Sequence, residues 1–240
     1  MVKIRAFRAI ENHSLCDKFI EGHKRVLEAV GVTKVTSSKY DWMYNPGSFV
    51  ILVETDDGGR VLGGARLQAA DGIHPLPLEE AAGYMDDKIY DLVKQYRTGG
   101  TGEVCGLWNS MEVAGMGIGS IFLIRSALAI SEQLGLDSMM ALCSPYTTRI
   151  AGNYGFLVEP SVGIDGTFYY PKLDLLATVV IQKNAHALPN ASALEYERIM
   201  DLRKRPIQVT LEQGKKQEVE IDYDLTLPSA STSEFKITGE

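Results

Sequence analysis

Apolar and polar positions alternate over residues 2–10, which predicts a first strand. From Glu11 the spacing changes. Leu15, Phe19, Val26, Leu27 and Val30 recur at helical intervals, and Gly31 is the predicted stop. Residues 33–48 are polar and carry Asn45-Pro46-Gly47, a turn signal. Two strands are predicted over Phe49–Glu54 and Arg60–Gln68. Between them, Asp56-Asp57-Gly58-Gly59 supplies residues that tolerate the positive φ of a tight hairpin. A loop with Pro75 and Pro77 leads into a predicted helix over Leu78–Tyr96, and Gly99, Gly100 and Gly102 break the chain before a strand over Glu103–Asn109. A glycine cluster follows, then a helix over Ile118–Leu134, a strand over Ser138–Cys143 and a short helix over Thr147–Asn153. Two further strands are predicted over Phe156–Val162 and Leu173–Gln182.

After Lys183 the pattern weakens. One helix (Ala191–Lys204) and a charged hairpin (Ile207–Leu225, turning at Gly214) are predicted, and the Ser- and Thr-rich end is expected to fray. The expected organisation is a main domain over 1–183 and a C-terminal extension over 184–240. The extension reads as a packing appendage. A substrate cover, or an oligomerisation arm of a homodimer, are the alternatives.

Composition narrows the function. With 45% hydrophobic and 23% charged residues the chain is ordinary globular protein. Its 24 Lys and Arg against 31 Asp and Glu leave a net charge of −7, which argues against a general nucleic-acid binder. The most apolar helical stretch, Ile118–Ile130, is interrupted by Arg125 and falls short of the ~20 residues a membrane span needs. Residues 1–14 show no apolar run of the signal-peptide kind, so the cytoplasm is the expected compartment. Cys16, Cys105 and Cys143 form no CxxC pair and the four His no ligand pair, so no metal site is expected.

The segment richest in chemical meaning is the strand that runs into Gly115-Met116-Gly117-Ile118-Gly119-Ser120, with an apolar helix opening at once. Alternate glycines let backbone N–H groups approach a ligand, and the helix start adds unpaired N–H groups and a positive dipole end. Phosphate or pyrophosphate fits such a turn. A P-loop is excluded because no Lys follows Gly119. A dinucleotide fingerprint is matched only in part: Ser120 interrupts it, and Asp137 precedes the next strand rather than ending it.

The third candidate fits better. Ala114-Gly115-Met116-Gly117-Ile118-Gly119 resembles the Q/R-x-x-G-x-G/A turn of the GCN5-related N-acetyltransferase (GNAT) superfamily, with Ala114 in place of Gln or Arg. The order of elements over residues 2–182, about three quarters of the chain, is similar to that family as well. A narrower similarity is to the autoinducer synthases of the same fold. It rests on Arg25-Val26, Tyr40-Asp41, Gly63-Gly64-Ala65-Arg66-Leu67 and Glu103-Val104-Cys105, with Gly106 where that branch has an Arg. The resemblance implies a mixed, mostly antiparallel central sheet flanked by helices and splayed where two parallel strands meet. It implies that Ala114, Gly115, Met116, Gly117, Ile118, Gly119 and Ser120 hold the pyrophosphate of acetyl-CoA or another acyl-CoA as co-substrate. Asn109 and Met111 would then run beside the pantetheine arm.

Amine acylation needs a neutral amine, a polarised thioester and a proton for the leaving thiolate. Glu103 lies eleven residues before Ala114, where histone acetyltransferases of the superfamily carry a general base. On a regular strand, Glu103, Cys105, Leu107 and Asn109 share one face. Many members place a Tyr acid four residues before the Gly of Gly155-Phe156. Ala151 stands there, so Tyr154 and Tyr146 are the candidate general acids. Arg66 is a candidate for a substrate carboxylate, Trp108 and Tyr84 for an acyl pocket, and Arg125 and Arg149 for the 3′-phosphate. Cys105 and Cys143 are expected to be buried and inert.

Two enzymatic readings and one binding reading follow from the resemblance. The leading one is N-acyl transfer, acetyl first, from acyl-CoA to a small-molecule primary amine. The second is autoinducer-synthase-like transfer of a longer chain from acyl carrier protein to an amino-acid-like amine, with Lys18, Lys24 and Arg25 as a docking patch. The third is a non-catalytic CoA-binding module.

Overall fold

The computed structural model describes residues 1–29, 31–32, 40–111, 113, 119–214 and 218–228. Ala114, Gly115, Met116, Gly117 and Ile118 of the glycine turn lie outside the described residues. Among the described residues ten strands form one sheet: β1 (Val2–Arg8), β2 (Ser48–Thr55), β3 (Val61–Ala69), β4 (Thr101–Asn109), β5 (Ser138–Cys143), β6 (Leu157–Val158), β7 (Thr167–Tyr169), β8 (Leu176–Gln182), β9 (Ile207–Gln213) and β10 (Glu218–Asp224). Their order is β6-β8-β5-β4-β3-β2-β1-β10-β9, with β7 paired to β8. Among these strands the pairs β1–β10 and β4–β5 run parallel and the others antiparallel. The helices are α1 (His13–Ala29), α2 (Pro77–Ala82), α3 (Lys88–Arg97), α4 (Ser120–Gln133), α5 (Pro145–Gly152) and α6 (Ala193–Lys204). Among the described residues no helix is long and apolar enough to cross a membrane.

Strand alternation sorts the side chains onto two faces. Phe49, Ile51 and Val53 of β2 and Ala65 and Leu67 of β3 join the core beneath α4. Val50 and Leu52 join a second core beneath α1 with Phe19, Trp42 and Trp108. A third cluster lies under α2 and α3 around Met140, Val179 and Ile181. Each fully buried Leu, Ile or Phe contributes roughly 1.5–3 kcal/mol, so these layers fix the sheet.

α4 is apolar on nearly every side because α6 covers its outer face. Its Arg125 meets Glu195 of α6 through Nε and Nη2 at 2.9 and 3.1 Å, and Glu212 of β9 at 2.9 Å. That ion pair occupies the guanidinium offered above to a 3′-phosphate. Residues 193–224 thus supply a helix over α4 and two strands of the same sheet.

Two sequence expectations are corrected. The helix predicted over Leu78–Tyr96 is broken into α2 and α3. At the break, Asp86 accepts the N–H groups of Lys88 (3.1 Å) and Gly163 (2.7 Å), a local polar bond that competes with helix. The strand predicted over Phe156–Val162 shrinks to β6, because Gly163, Asp165 and Gly166 all adopt positive φ and turn the chain into β7, which went unpredicted.

Candidate functional site

The parallel pairing of β4 with β5 runs only from Thr101↔Ser138 to Glu103↔Met140. Beyond it the two strands part. On its other edge β4 stays paired with β3, but between Arg66↔Cys105 and Gly64↔Trp108 two β4 residues face one on β3. Gly106 sits in this bulge at φ +57, a conformation that favours glycine. The bulge reverses the side-chain alternation: Leu107 packs toward the α4 core, and Trp108 toward the α1 core. The expected single face of Glu103, Cys105, Leu107 and Asn109 therefore does not form.

The gap between the strands is a cavity of about 640 Å³. Glu103, Cys105 and Leu107 line one side and Leu142, Cys143 and Phe156 the other, with His23 from α1 and Tyr170 beyond β7. Its walls are mainly apolar. The β4 backbone past Glu103 has lost its β5 neighbour, so its polar groups face the gap and suit an amide-bearing arm such as pantetheine.

Glu103 is 2% exposed. Its Oε2 accepts the N–H of Leu78, in the first turn of α2, at 2.7 Å. Burial pushes its carboxyl up to about 8, against the opposing pull of the Leu78 bond and of Arg66. Cys105 and Cys143 are buried, and desolvation raises their thiols to about 11 and about 12. His23, which the helical pattern alone could not single out, is buried on the cavity wall. Desolvation, aided by Arg66, lowers it to about 4, so its ring is neutral.

Arg66 is also 2% exposed. Its Nε donates to Cys105 Sγ at 3.2 Å, and its guanidinium carbon stands 4.8 Å from the centre of the Trp42 ring. Asn109 Nδ2 donates to Ser120 Oγ at 3.3 Å, which ties the end of β4 to the start of α4. Gly119 is extended, and a Cβ there would meet nothing within 4 Å. Met111 is 88% exposed.

Several candidates sit elsewhere. Tyr154 belongs to the α4 core, where its hydroxyl donates to the Ile121 carbonyl at 2.7 Å and burial holds its phenol well above 10. Tyr146 is 56% exposed on α5 and does not line the cavity. The phenol that does is Tyr170, in a segment whose irregular turns gave no periodic signal. Trp108 is packed into the α1 core, so tightly that a Cβ on Gly22 would overlap its ring. Tyr84 is exposed in the α2–α3 connection, outside the cavity. Arg149 is exposed in the last turn of α5. On α1, Lys18, Lys24 and Arg25 are exposed, but Asp17, Glu21 and Glu28 are interspersed among them.

No family sequence model matches the chain, and no curated protein matches it by sequence. Solved structures match its fold. FeeM, an N-acyl amino acid synthase from uncultured soil microbes, superposes with a TM-score of 0.59 at 14% identity, covering 81% of this chain and 97% of its own. BjaI, a CoA-dependent acyl-homoserine lactone synthase, gives 0.55 at 13% identity over 94% of this chain and 97% of its own. A mosquito protein described as arylalkylamine N-acetyltransferase like 5b gives 0.51 at 10% identity over 76% and 99%. The chain has the GNAT fold, with the mixed, mostly antiparallel sheet expected of it.

Proposed function

We propose that this protein is an N-acyltransferase that moves an acyl group from acyl-CoA to a primary amine in the cavity between β4 and β5. The observation that carries the reading is the parting of these strands past Glu103↔Met140, with a buried carboxyl on the wall of the gap. The names of the structural neighbours, acyltransferases and acyl-homoserine lactone synthases, support it.

In this reading the ionised Glu103 takes a proton from the acceptor ammonium, directly or through a water. The freed amine attacks the thioester carbonyl, a C–N bond forms, the C–S bond breaks, and the thiolate leaves. The thiolate gains a proton from a general acid, for which Tyr170 replaces Tyr154 and Tyr146 as our candidate. The glycine turn 114–119 and Ser120 are assigned to the phosphate end of the donor, and Asn109 and Met111 to its pantetheine arm, on the sequence resemblance.

The cavity favours a chain longer than acetyl. Acetyl fills roughly two water volumes, about 60 Å³, a small part of a cavity in the range of sites for drug-sized ligands. The remaining apolar wall can hold part of the pantetheine and several methylenes, each stabilised by up to about 0.8 kcal/mol. Thiol release measured with straight-chain acyl-CoA donors of increasing length tests this. The specificity constant should climb several-fold per two methylenes until the cavity is full. A maximum at acetyl-CoA would refute the long-chain reading, and no thiol release from any donor–amine pair would refute acyl transfer.

A further inference from the structure

The sheet ends on an open edge. β9 pairs with β10 on one side, and among the described residues no strand pairs with it on the other. Its seven residues, Ile207–Gln213, include no Pro, Gly or Lys, and the ladder to β10 has no bulge. Such an edge is a template for another strand, and sheets that stay single blunt it with charge, proline or a bulge. On one face of β9, Ile207, Val209 and Leu211 are 66%, 56% and 56% exposed. Its one charge, Glu212, is on the other face, joined to Arg125.

The charges behind this apolar row limit what can cover it. Asp224, Asp222 and Glu220 of β10 stand directly across the ladder from Ile207, Val209 and Leu211, with Glu218 beyond them. Among the described residues none of these four is in an ion pair, since Lys3 and Arg5 on the neighbouring β1 are joined to Asp56 and Glu54. The acidic row repels an anionic surface laid flat on this face, and so also a second copy stacked face to face. A strand added in the plane of the sheet escapes that repulsion. Its nearest neighbours are the three apolar residues on one face and Gln208 and Thr210 on the other, all uncharged. A strand that is apolar on one face and polar on the other complements that edge, and β9 itself has this pattern.

We propose that β9 pairs antiparallel with β9 of a second copy of this chain, with Val209 on the two-fold axis, so that two sheets join into one. An axis normal to the sheet keeps both apolar rows on one face. It sets Ile207 opposite Leu211 of the second copy, Val209 opposite Val209, and Gln208 opposite Thr210. Parallel pairing would turn one copy over and set Ile, Val and Leu beside Gln, Thr and Glu. In the antiparallel arrangement the two acidic rows stay three strand spacings apart, about 14 Å, beyond the Debye length of about 8 Å at physiological salt. One strand edge and three side chains per copy fall at the low end of interface size, so the dimer forms at micromolar concentrations. The contact is at the far end of the sheet order from the β4–β5 gap and stands whether or not that gap transfers acyl groups.

Sedimentation equilibrium of the full chain from ~1 to ~300 µM tests the proposal. The mass should climb with concentration from one chain toward two and stop there. Val209→Lys sets like charges across the axis and should weaken the dimer at least ~10-fold, with an unchanged circular dichroism spectrum because the side chain is exposed. Val209→Cys should form a disulfide-linked dimer under mild oxidation much faster than Glu220→Cys, whose sulfurs stay more than about 14 Å apart. The native Cys16, Cys105 and Cys143 are buried and do not compete. A one-chain mass at every concentration, an association that Val209→Lys leaves intact, or equal cross-linking of the two Cys variants would overturn the proposal. A full chain that stays single and pairs only after removal of residues 229–240 would make that segment the occupant of the edge, and would overturn it as well.

Discussion

Replacing Glu103 by Gln separates two consequences of burying one carboxyl. Gln keeps the size of the side chain and an oxygen for the Leu78 N–H, which now sits 2.7 Å from Oε2. It removes only the ability to ionise. In the native protein the group shifts from its ordinary 4.5 to about 8, chiefly through desolvation. The folded state therefore holds a proton that the unfolded chain releases between those values, and the wild-type fold loses stability as pH rises through this window. Below 4.5 both states are protonated and the group is silent. At 1.36 kcal/mol per unit, the cost grows to roughly 3 kcal/mol near pH 7 and levels off at about 5 kcal/mol above pH 8. Glu103→Gln escapes it. The variant should match the wild type in urea unfolding at pH 4.5 and exceed it by several kcal/mol at pH 8.5.

The same substitution should lower turnover by about 10²–10⁴-fold with little change in donor affinity, and should abolish an acidic limb expected near pH 8 in the wild-type rate. Stability and activity must move in opposite directions. A variant with near-normal turnover and an unchanged acidic limb would refute the general-base role. A variant no more stable than the wild type at pH 8.5 would refute the burial argument itself.

Gly106→Val forces a branched residue to φ +57, which should cost at least about 1–2 kcal/mol and straighten the bulge, so thiol release should fall even in the folded fraction. Arg125→Met strands Glu195 and Glu212 in the core and should reduce the unfolding free energy by about 3–5 kcal/mol, read as a lower urea midpoint. Deleting residues 184–240 removes β10 from the edge of β1 and α6 from the back of α4; the fragment should lack a cooperative thermal transition, and a soluble fragment that binds acyl-CoA would show the extension to be dispensable. Gly117→Val tests the glycine turn: calorimetry should show weaker CoA binding, and undiminished affinity in a folded variant would move the phosphate site elsewhere.

The periodic parts of this fold were legible in the residue pattern. β5 lies at its predicted bounds, and β1, β2, β3, α1 and α4 end within a few residues of theirs, because their apolar runs are bounded by turn and stop residues that read locally. What stayed hidden was decided by single backbone positions and by long-range partners. Gly106 looked like one more strand residue; its positive φ reassigns every side chain after it, and with them Trp108 and Leu107. Tyr154 stands beside Gly155-Phe156 in sequence, but its direction is set by the Ile121 carbonyl 33 positions away. Glu103 and Arg66 could be nominated by spacing. That both are buried, one facing Leu78 and the other without an anion, depends on α2 and the Trp42 turn closing over the sheet.

Burial of Glu103 is destabilising, and it also makes the proposed proton transfer workable. An alkyl ammonium titrates near 10.4, so handing its proton to a carboxylate of ordinary pKa is uphill by about six units, or roughly 8 kcal/mol. A carboxylate raised to about 8 brings the mismatch down to two or three units. Arg66 limits how far the carboxyl can rise, since its charge pulls Glu103 back down. The acceptor ammonium beside Glu103 would favour the ionised form until its proton is transferred. Once the nitrogen is neutral, the protonated carboxyl is again the form that the dry wall prefers. The desolvation that costs stability in the resting protein thereby drives the proton onto Glu103 as the amine becomes a nucleophile.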